Sequence, residues 1–560
     1  MTERHQDVAP LSALGSGRHR SGPVRVVRPV YVDLLPPCNA GCPAGENIQA
    51  WLAHAMKGDH EAAWRQLTRD NPFPAIHGRV CYHPCESACN RGQLDGSVSI
   101  HAVERFLGDL AIDRDWQFDQ SRTHSGKRVL VVGSGPSGLS AAYHLRRLGH
   151  DVVCRDNSPL AGGMMRYGIP SYRLPRRVLD AEIRRLHHLG VVFEQDHTVV
   201  DLNAEMADGG FDAAFVAVGA HLSKRVDIPN QDASRVLDAV SFLRDVETGE
   251  VDPDLGRVAV YGGGNTAMDA ARVARRLGAE DTVIVYRRNR DQMPAHEDEA
   301  ADAEDEGVRI NWLRTIASMG EHDLTVEIQE LDEKGRPRGT GRFETLAADT
   351  VILALGQESD TRFLANVPGV EFDGDVVRVD PRSLMTGAPG IFAGGDAVPS
   401  ERTVTVGVGH GKKAAFSIDA FLGRGAYASG TQHPIADLDK LHLWYFGDHD
   451  QRQQDALDPQ VRVAAFDEVV AGLEPDEAVF EAGRCLSCGN CFECDGCLGA
   501  CPEDAVIKLG VGHRYRFDYE RCTGCSTCAR QCPVHAIEMI GEHDPMPDNV
   551  FLPPPAGGLR

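Results

Sequence analysis

The sequence predicts an α/β protein built on two Rossmann-like dinucleotide-binding domains, with a small α-helical cysteine-bearing domain before them and a compact two-centre cysteine domain after them. Three observations carry this. An apolar strand followed by a glycine-rich turn and an amphipathic helix occurs twice, at RVLVVGSGPSGLSAAYHLRRLG from Arg128 and at RVAVYGGGNTAMDAARVARRLG from Arg257. The pattern C-x-x-C-x-x-C-x-x-x-C-P also occurs twice, near the carboxyl end. Five further cysteines lie between Cys38 and Cys89, among apolar residues at helical spacing.

Length and composition bound the function. A chain of 560 residues accommodates three to four domains. A net charge of −24 with 6% aromatic residues gives no footprint for nucleic acid, and the run HEDEAADAEDEG (296–307) reads as a solvated acidic helix face. Sixteen cysteines in C-x-x-C and C-x-x-x-C groups suit thiolate ligands in a reducing compartment, so a cytoplasmic protein is expected. No apolar run approaches ~18 residues, so neither a transmembrane helix nor a signal peptide is expected, and no membrane partner.

In chain order, residues 1–35 read as a disordered or extended arm. Residues 36–125 form the α-helical domain, with Cys38, Cys42-Pro43, a helical stretch over NIQAWLAHAMKGDHEAAWRQLTRD, then Cys81, Cys85 and Cys89. A further helix follows in VSIHAVERFLGDLAI, where Ile100, Val103 and Leu107 share a stripe and Glu104 sits at its edge, a position where a carboxylate is ordinarily solvated. Residues 126–255 and 356–425 form the first dinucleotide domain. Gly133, Gly135 and Gly138 permit the tight turn and bring backbone N–H groups and a helix N-terminus to a pyrophosphate, and Asp156 ends the next strand, where an acid binds a ribose hydroxyl. Residues 256–355 form the second domain, with Gly262, Gly264 and Ala267 in the fingerprint positions. Its second strand ends in Arg287-Arg288 instead of an acid, and two guanidiniums there suit a 2′-phosphate, which favours NADPH over NADH. A third landmark, Gly394-Gly395-Asp396 after a short apolar strand, closes a two-dinucleotide flavoprotein; a helix beginning near 408–415 would aim its N-terminus at the flavin. Residues 426–484 form a connector, with LHLWYFGDHD as a strand or docking tongue and AFDEVVAGLEPDEAVFEAGR as a helix; 544–560 is a Pro-rich tail.

The doubled motif, Cys491, Cys494, Cys497 and Cys501-Pro502 followed by Cys522, Cys525, Cys528 and Cys532-Pro533, is an iron–sulfur signature with crossed ligand sets. Cys491, Cys494, Cys497 and Cys532 would hold one 4Fe-4S cluster, and Cys522, Cys525, Cys528 and Cys501 the second. Structural zinc would ask for two C-x-x-C pairs. Residues 485–543 read as this bacterial-type dicluster ferredoxin domain, and its CPEDAVIKLG and CPVHAIEM segments resemble the dicluster chain of 2-oxoacid:ferredoxin oxidoreductases and bacterial ferredoxins.

Over about residues 36–425, the run GGMMRYGIPSYRLPR, the GGGNTAMD, YRR and MPA segments, the GGD triplet and the cysteine-bearing helical domain together resemble the small subunit of NADPH-dependent glutamate synthase. The same core occurs in the NADPH half of dihydropyrimidine dehydrogenase and in the large subunit of electron-bifurcating transhydrogenase. The resemblance implies FAD on Gly133, Gly135, Pro136, Ser137, Gly138, Asp156, Gly163, Met164, Gly219, Gly395 and Asp396, and NADPH on Gly263, Gly264, Asn265, Thr266, Arg287 and Arg288. It also implies two 4Fe-4S clusters in the helical domain, with a C-L-x-C pair beginning the ligand series and a carboxylate or amide as one ligand. Here that pair is displaced to EAGRCLSCG (481–489), so the expected sets are Cys42, Cys81, Cys85 and Glu104, and Cys38, Cys89, Cys485 and Cys488. The alternative is a single cluster in the helical domain, with Cys485 and Cys488 idle.

The function implied is hydride exchange between NADP(H) and FAD, with single electrons passing along four clusters to or from a large catalytic partner. The ferredoxin motifs favour a thiamine-dependent 2-oxoacid oxidoreductase, or free ferredoxin, as that partner; the alternative is a glutamate-forming large subunit. A thiol–disulfide reductase would need a redox cysteine pair beside the flavin, and residues 126–484 hold only Cys154, which reads as a buried hydrophobe.

Overall fold

The first and last strands of the chain meet in one sheet. Strand β1 (Val27–Tyr31) pairs antiparallel with the last strand, Val27 opposite Gly541 and Tyr31 opposite Ile537. The computed structural model describes residues 25–550 apart from 121–122, 225, 231, 233–234, 252–253, 424–432 and 511. The arm expected over 1–35 therefore ends as an edge strand of the C-terminal domain. Its residues 1–24 lie outside the described residues, as do 551–560 of the expected tail.

The amino-terminal domain is built mainly on α1 (Pro37–Gly41), α2 (Ile48–Ala55), α3 (His60–Leu67), α4 (Pro74–Val80) and α5 (Ile100–Asp113), with a single helical turn at Pro84–Ser87. The helical stretch expected over 47–70 is two helices, because Gly58 takes φ 73° and Asp59 caps α3 by accepting from the Ala62 N–H. Trp51, Leu52, Leu67, Val103 and Leu107 bury their side chains between α2, α3 and α5. Glycine lets α4 and α5 touch: a Cβ on Gly108 would lie 2.2 Å from the Ala75 nitrogen.

The first dinucleotide domain is a parallel sheet of β2 (Arg128–Val132), β3 (Asp151–Arg155), β4 (Val192–Glu194) and β5 (Ala213–Val216), with α6 (Pro136–Arg147) crossing between β2 and β3. The second contains β6 (Arg235–Asp238), β7 (Arg257–Tyr261), β8 (Asp281–Tyr286), β9 (Arg309–Trp312) and β10 (Thr350–Leu353), in the order β9-β8-β7-β10-β6, with α7 (Asn265–Arg276) between β7 and β8. Its boundary differs from the expected 256. β6 pairs in parallel with β10, Arg235 opposite Thr350, so residues 235–255 join the second sheet. A three-stranded antiparallel sheet over 314–347, which the sequence pattern does not signal, covers one face through Ile316, Leu324 and Val326.

Helix α8 (Glu297–Asp305) corrects the solvated-face expectation. Glu299 turns inward to Arg173 and Arg272, and Glu306 is buried with Arg272 and Arg276. Buried arginines on α7 need carboxylates, and α8 supplies them.

β11 (Ile391–Ala393) returns to the first sheet beside β5, and α9 (Val404–Phe421) follows, capped by the Thr403 hydroxyl 3.2 Å from the Val406 nitrogen. The helix begins four residues before the expected 408. It lies flat on α6, where a Cβ on Gly411 would meet the Ser137 carbonyl at 2.2 Å, and against the helical domain, where one on Gly409 would meet the Pro43 carbonyl at 2.1 Å.

The connector crosses the helical domain. LHLWYFGDHD forms a 3-10 turn at Leu443–Tyr445 instead of a strand, and the helix expected from 465 starts only at Pro475, whose fixed φ opens α10 (Pro475–Gly483). Leu473, Ala478 and Ala482 enter the core of α2 and α5. The C-terminal domain holds α11 (Gly496–Ala500), β12 (Val506–Lys508), β13 (Tyr515–Phe517), α12 (Thr527–Gln531) and β14 (Ile537–Gly541). Its doubled sequence is a doubled structure: Asp495 (φ 62°, ψ 3°) and Ser526 (φ 64°, ψ 4°) open the two helices alike. Among the described residues no helix is long and apolar enough to cross a membrane.

Replacing Gly411 by Ala should push α6 and α9 apart, cost about 1–3 kcal/mol and lower the first melting transition in calorimetry by several degrees. An unchanged transition would show that the helices are not locked at this glycine.

Candidate dinucleotide cleft and cysteine centres

A cleft of about 590 Å³ opens at the carboxyl ends of both sheets. Its walls include Gly133, Gly135, Pro136, Ser137, Asp156, Gly163, Met164, Gly219, Gly395 and Asp396 from the first domain and Asn265 and Thr266 from the second. Gly133 holds φ 105° with the Ala217 carbonyl 2.4 Å from where a Cβ would stand, so the turn excludes any side chain. Gly138 does not line the cleft. A Cβ there would fall 1.9 Å from the Gly133 carbonyl, so this glycine closes the helix onto the turn.

Gly135 stands at the N-cap of α6 with no side-chain cap, which leaves the first backbone donors facing the cleft, and the Ser137 hydroxyl is buried without a partner. Those orphaned donors fit a pyrophosphate. The Asp156 carboxylate accepts from the Ser134 N–H (2.6 Å), the Ser134 hydroxyl (2.8 Å) and the Ser158 N–H (2.8 Å). It braces the turn and retains acceptor capacity toward a ribose. Asp396 has no hydrogen-bond partner for its carboxylate among the described residues, and burial raises its pKa to about 6. A half-buried acid in want of a donor, beside the N-terminus of α9, fits the hydroxyl-bearing chain and ring of a flavin dinucleotide.

On the second sheet, Gly264 is the uncapped N-cap of α7, and Gly262 holds φ 154° with the Ala354 carbonyl 2.2 Å from where a Cβ would stand. Gly263 packs under the Tyr286 ring. Gly263, Gly264, Arg287 and Arg288 lie outside the walls of the cleft itself. Arg287 is exposed and unpaired among the described residues, while Arg288 Nε, Asn289 Oδ1 and Gln292 Oε1 are buried polar atoms with no hydrogen bond. This unsatisfied group just past β8 fits a phosphate on the adenosine end of a second dinucleotide. The sequence reading missed Tyr82, Arg173 and Asp269, which also line the cleft. They come from three different domains, and no periodicity links them.

The cysteines gather in four sets. Cys38, Cys89, Cys485 and Cys488 line one cavity, although more than 390 residues separate its two halves in sequence. Burial and the neighbouring thiols push Cys38 well above its ordinary pKa, Cys485 up to about 12 and Cys488 up to about 11. Such thiols become thiolates only when a positive centre compensates them, which fits iron. The Asn90 amide donates to the Cys488 sulfur at 3.4 Å.

Cys42, Cys81 and Cys85 form a second set, each thiol raised by burial and by nearby acids. Glu104, expected at a solvated edge, is instead buried and accepts from the Asn71 amide at 2.8 Å; burial and the Glu46 carboxylate raise its pKa strongly. Glu46, missed from sequence because CPAGEN reads as a plain helix start, accepts from the same amide at 3.0 Å and from the Trp51 indole at 3.2 Å. Two buried carboxylates therefore face three thiols.

In the C-terminal domain Cys501, Cys522, Cys525 and Cys528 line a single cavity, while Cys491, Cys494, Cys497 and Cys532 act electrostatically on one another. Each group joins three cysteines of one motif with the last cysteine of the other. Backbone N–H groups reach several sulfurs, Ala536 to Cys532 at 3.2 Å and Ala505 to Cys501 at 3.3 Å, and the Tyr31 hydroxyl stands 3.3 Å from Cys497. Cys154 is buried alone on β3, its pKa raised by burial, with no second cysteine in the two sheet domains.

Comparison with known proteins agrees with this layout. The family model described as pyridine nucleotide-disulphide oxidoreductase matches residues 127–411, that of dihydropyrimidine dehydrogenase domain II, 4Fe-4S cluster, matches 34–116, and that of a 4Fe-4S binding domain matches 515–538. The chain is 36% identical over 505 residues to the NADP(+)-dependent formate dehydrogenase subunit beta of Moorella thermoacetica, covering 81% of this chain and 70% of that one. It is 33% identical to the NADPH-Fe(3+) oxidoreductase subunit beta of Geobacter sulfurreducens, covering 81% and 75%. Against the glutamate synthase [NADPH] small chain of Escherichia coli it is 32% identical, covering 69% and 89%.

Two outcomes are expected. Iron analysis should give about sixteen irons per chain, falling to about twelve when Cys485 and Cys488 are both replaced by Ala or when Cys38 is; about twelve in the unmodified protein would leave that pair outside any cluster. FAD affinity should depend on pH through Asp396. A hydroxyl donated by bound FAD favours the ionised carboxylate, so affinity is full above pH ~6 and falls by up to about tenfold per pH unit below it. Fluorescence titration of apoprotein would read this, and Asp396→Asn should flatten the dependence.

Proposed function

Because the chain belongs to the pyridine nucleotide-disulphide oxidoreductase family and is an FAD-dependent NADPH oxidoreductase with iron–sulfur domains, we propose that it is the electron-transfer subunit of a larger enzyme, joining NADP(H) to a wire of four 4Fe-4S clusters. Flavin supplies the conversion this needs, since it exchanges hydride with nicotinamide and single electrons with clusters. The chain's own part is to hold and orient. The open N-termini of α6 and α7 take the two pyrophosphates, Asp396 fixes the ribityl chain, Arg287 and Arg288 take the 2′-phosphate, and the positive end of α9 favours a reduced, anionic ring.

One observation carries the reading: the cysteine sets follow one another outward from the cleft. Tyr82 lines the cleft, and its neighbour Cys81 lies against Thr405 in the first turn of α9. Cys42 of that set shares a helical turn with Cys38 of the next, Cys488 of the next is three residues from Cys491, and Cys525 at the far end is the one exposed cysteine among the described residues. Glu104 serves as the non-cysteine ligand of the first cluster in this scheme.

The partner we propose is a thiamine-dependent 2-oxoacid oxidoreductase, or free ferredoxin, in the reducing cytoplasm, because the doubled motif adds a two-cluster outlet. The alternative, a glutamate-forming large subunit, draws support from the likeness to the glutamate synthase small chain. The subunit that co-purifies with the tagged chain distinguishes them, and a formate dehydrogenase would displace both. Replacing Arg287 and Arg288 together should raise the NADPH Kd at least tenfold while leaving NADH within about twofold; equal losses would remove the 2′-phosphate assignment. NADPH should bleach the flavin without added thiol, and alkylation of Cys154 should not prevent it; inhibition by that one modification would restore a thiol–disulfide role.

A further inference from the structure

One guanidinium ties three domains together at the mouth of the cleft. Arg173 belongs to the first dinucleotide domain, in the turn after Pro170. Its Nη1 donates to both oxygens of Asp269 on α7 at 2.9 Å, and its Nη2 is paired with Glu299 on α8, so it is bound into the second domain. The Tyr82 phenol of the helical domain lies beside the same guanidinium, and the Tyr82 ring stacks on His296 of the second domain at 3.5 Å with 6° between planes. The preceding residue, Tyr172, is fully buried in the core of the second domain, between Arg276 at 3.7 Å and Arg272 at 5.0 Å. Two successive residues of one domain are thus driven into another.

Resting on the function proposed above, we infer that Arg173 is a positioning residue for hydride transfer: it fixes α7, whose N-terminus seats the nicotinamide dinucleotide, at the distance from the flavin seat that the transfer needs. Two Rossmann domains joined only by chain crossings would hinge, and the two rings would meet in a fraction of orientations. Asp269 lies one turn from Asn265 and Thr266, which line the cleft, so the guanidinium that binds it acts where the dinucleotide enters. With NADPH and FAD bound, the chemistry they would supply is hydride transfer from the nicotinamide to the flavin. Its rate falls steeply with misplacement, about a hundredfold for 1 Å. Arg173 makes no demand on the adenosine end, held by Arg287 and Arg288 just past β8, so affinity and rate should separate when it is changed.

The test is stopped-flow flavin reduction in holoprotein by NADPH and by NADPH deuterated at C4. Arg173→Lys keeps the charge and loses the planar fork; the saturating rate should fall about tenfold or more, with the NADPH Kd within about twofold and a primary isotope effect on the slowed step. Asp269→Leu, which removes both accepting oxygens on α7, should reproduce that pattern, and it carries the test if Arg173→Lys loses its FAD. Iron and FAD contents at wild-type levels identify folded protein. An unchanged saturating rate, or a raised Kd alone, overturns the inference. Failure of NADPH to reduce the wild-type flavin would instead overturn the function on which it rests.

Discussion

Glu481 and Arg484 form a buried ion pair on which the joining of the two chain ends depends. Both are at most 1% exposed, and the Arg484 donors are met by Glu481 at 2.6 Å, the carbonyls of Ser97, Gly96 and His449, and Asp95. Glu481 in turn accepts from the Ser99 and Arg452 N–H groups. A buried pair is costly to break, about 3–5 kcal/mol when one partner is lost, because the other charge is left without solvent or counter-ion. It places α10 in the helical domain and delivers Cys485 and Cys488, immediately after it, to Cys38 and Cys89.

The same docking determines how the C-terminal domain sits. Between β1 and α1 the chain runs along it, with the Leu34 N–H bonded to the Gly489 carbonyl and Arg514 paired to Asp33. A cluster held by cysteines from both ends would add a covalent clamp to this non-covalent one, with the added stability of a long closed loop. Electron transfer and fold then depend on the same residues, since separating the ends would interrupt both.

Burial shapes the site in opposite ways at its two ends. In the cleft and just past β8 it leaves a few polar groups, Ser137 and Asp396 in the one and Arg288 at the other, without partners, which is tolerable only where a ligand completes them. Around Cys38, Cys42, Cys81, Cys85, Cys485 and Cys488 it raises the thiol pKa values, a cost that a bound positive centre would offset. Between these ends, α9 carries contacts to both: Gly411 on α6, Gly409 on Pro43, and Lys412 to the Gly45 carbonyl and Asp70.

The sequence by itself determined the motifs whose geometry is local. Glycines at Gly133 and Gly262 answer to a turn with positive φ, and C-x-x-C-x-x-C fits one loop, so spacing alone marked the sheets and the glycine turns and gave the expectation of crossed cysteine sets. Cys485 and Cys488 were singled out by their likeness to the resembled family's C-L-x-C pair, and the structure places them in one cavity with Cys38 and Cys89. Tertiary structure alone decided what distance along the chain conceals. The strand at 235–238 joined the second sheet by pairing with β10, Glu104 was drawn inside by Asn71 and the thiols, and Glu299 and Glu306 turned in because α7 buries arginines that require them. Tyr82, Arg173 and Asp269 meet for the same reason. Local pattern records how a residue sits on its own helix or strand, whereas which charge it must neutralise is decided only when another segment is packed against it.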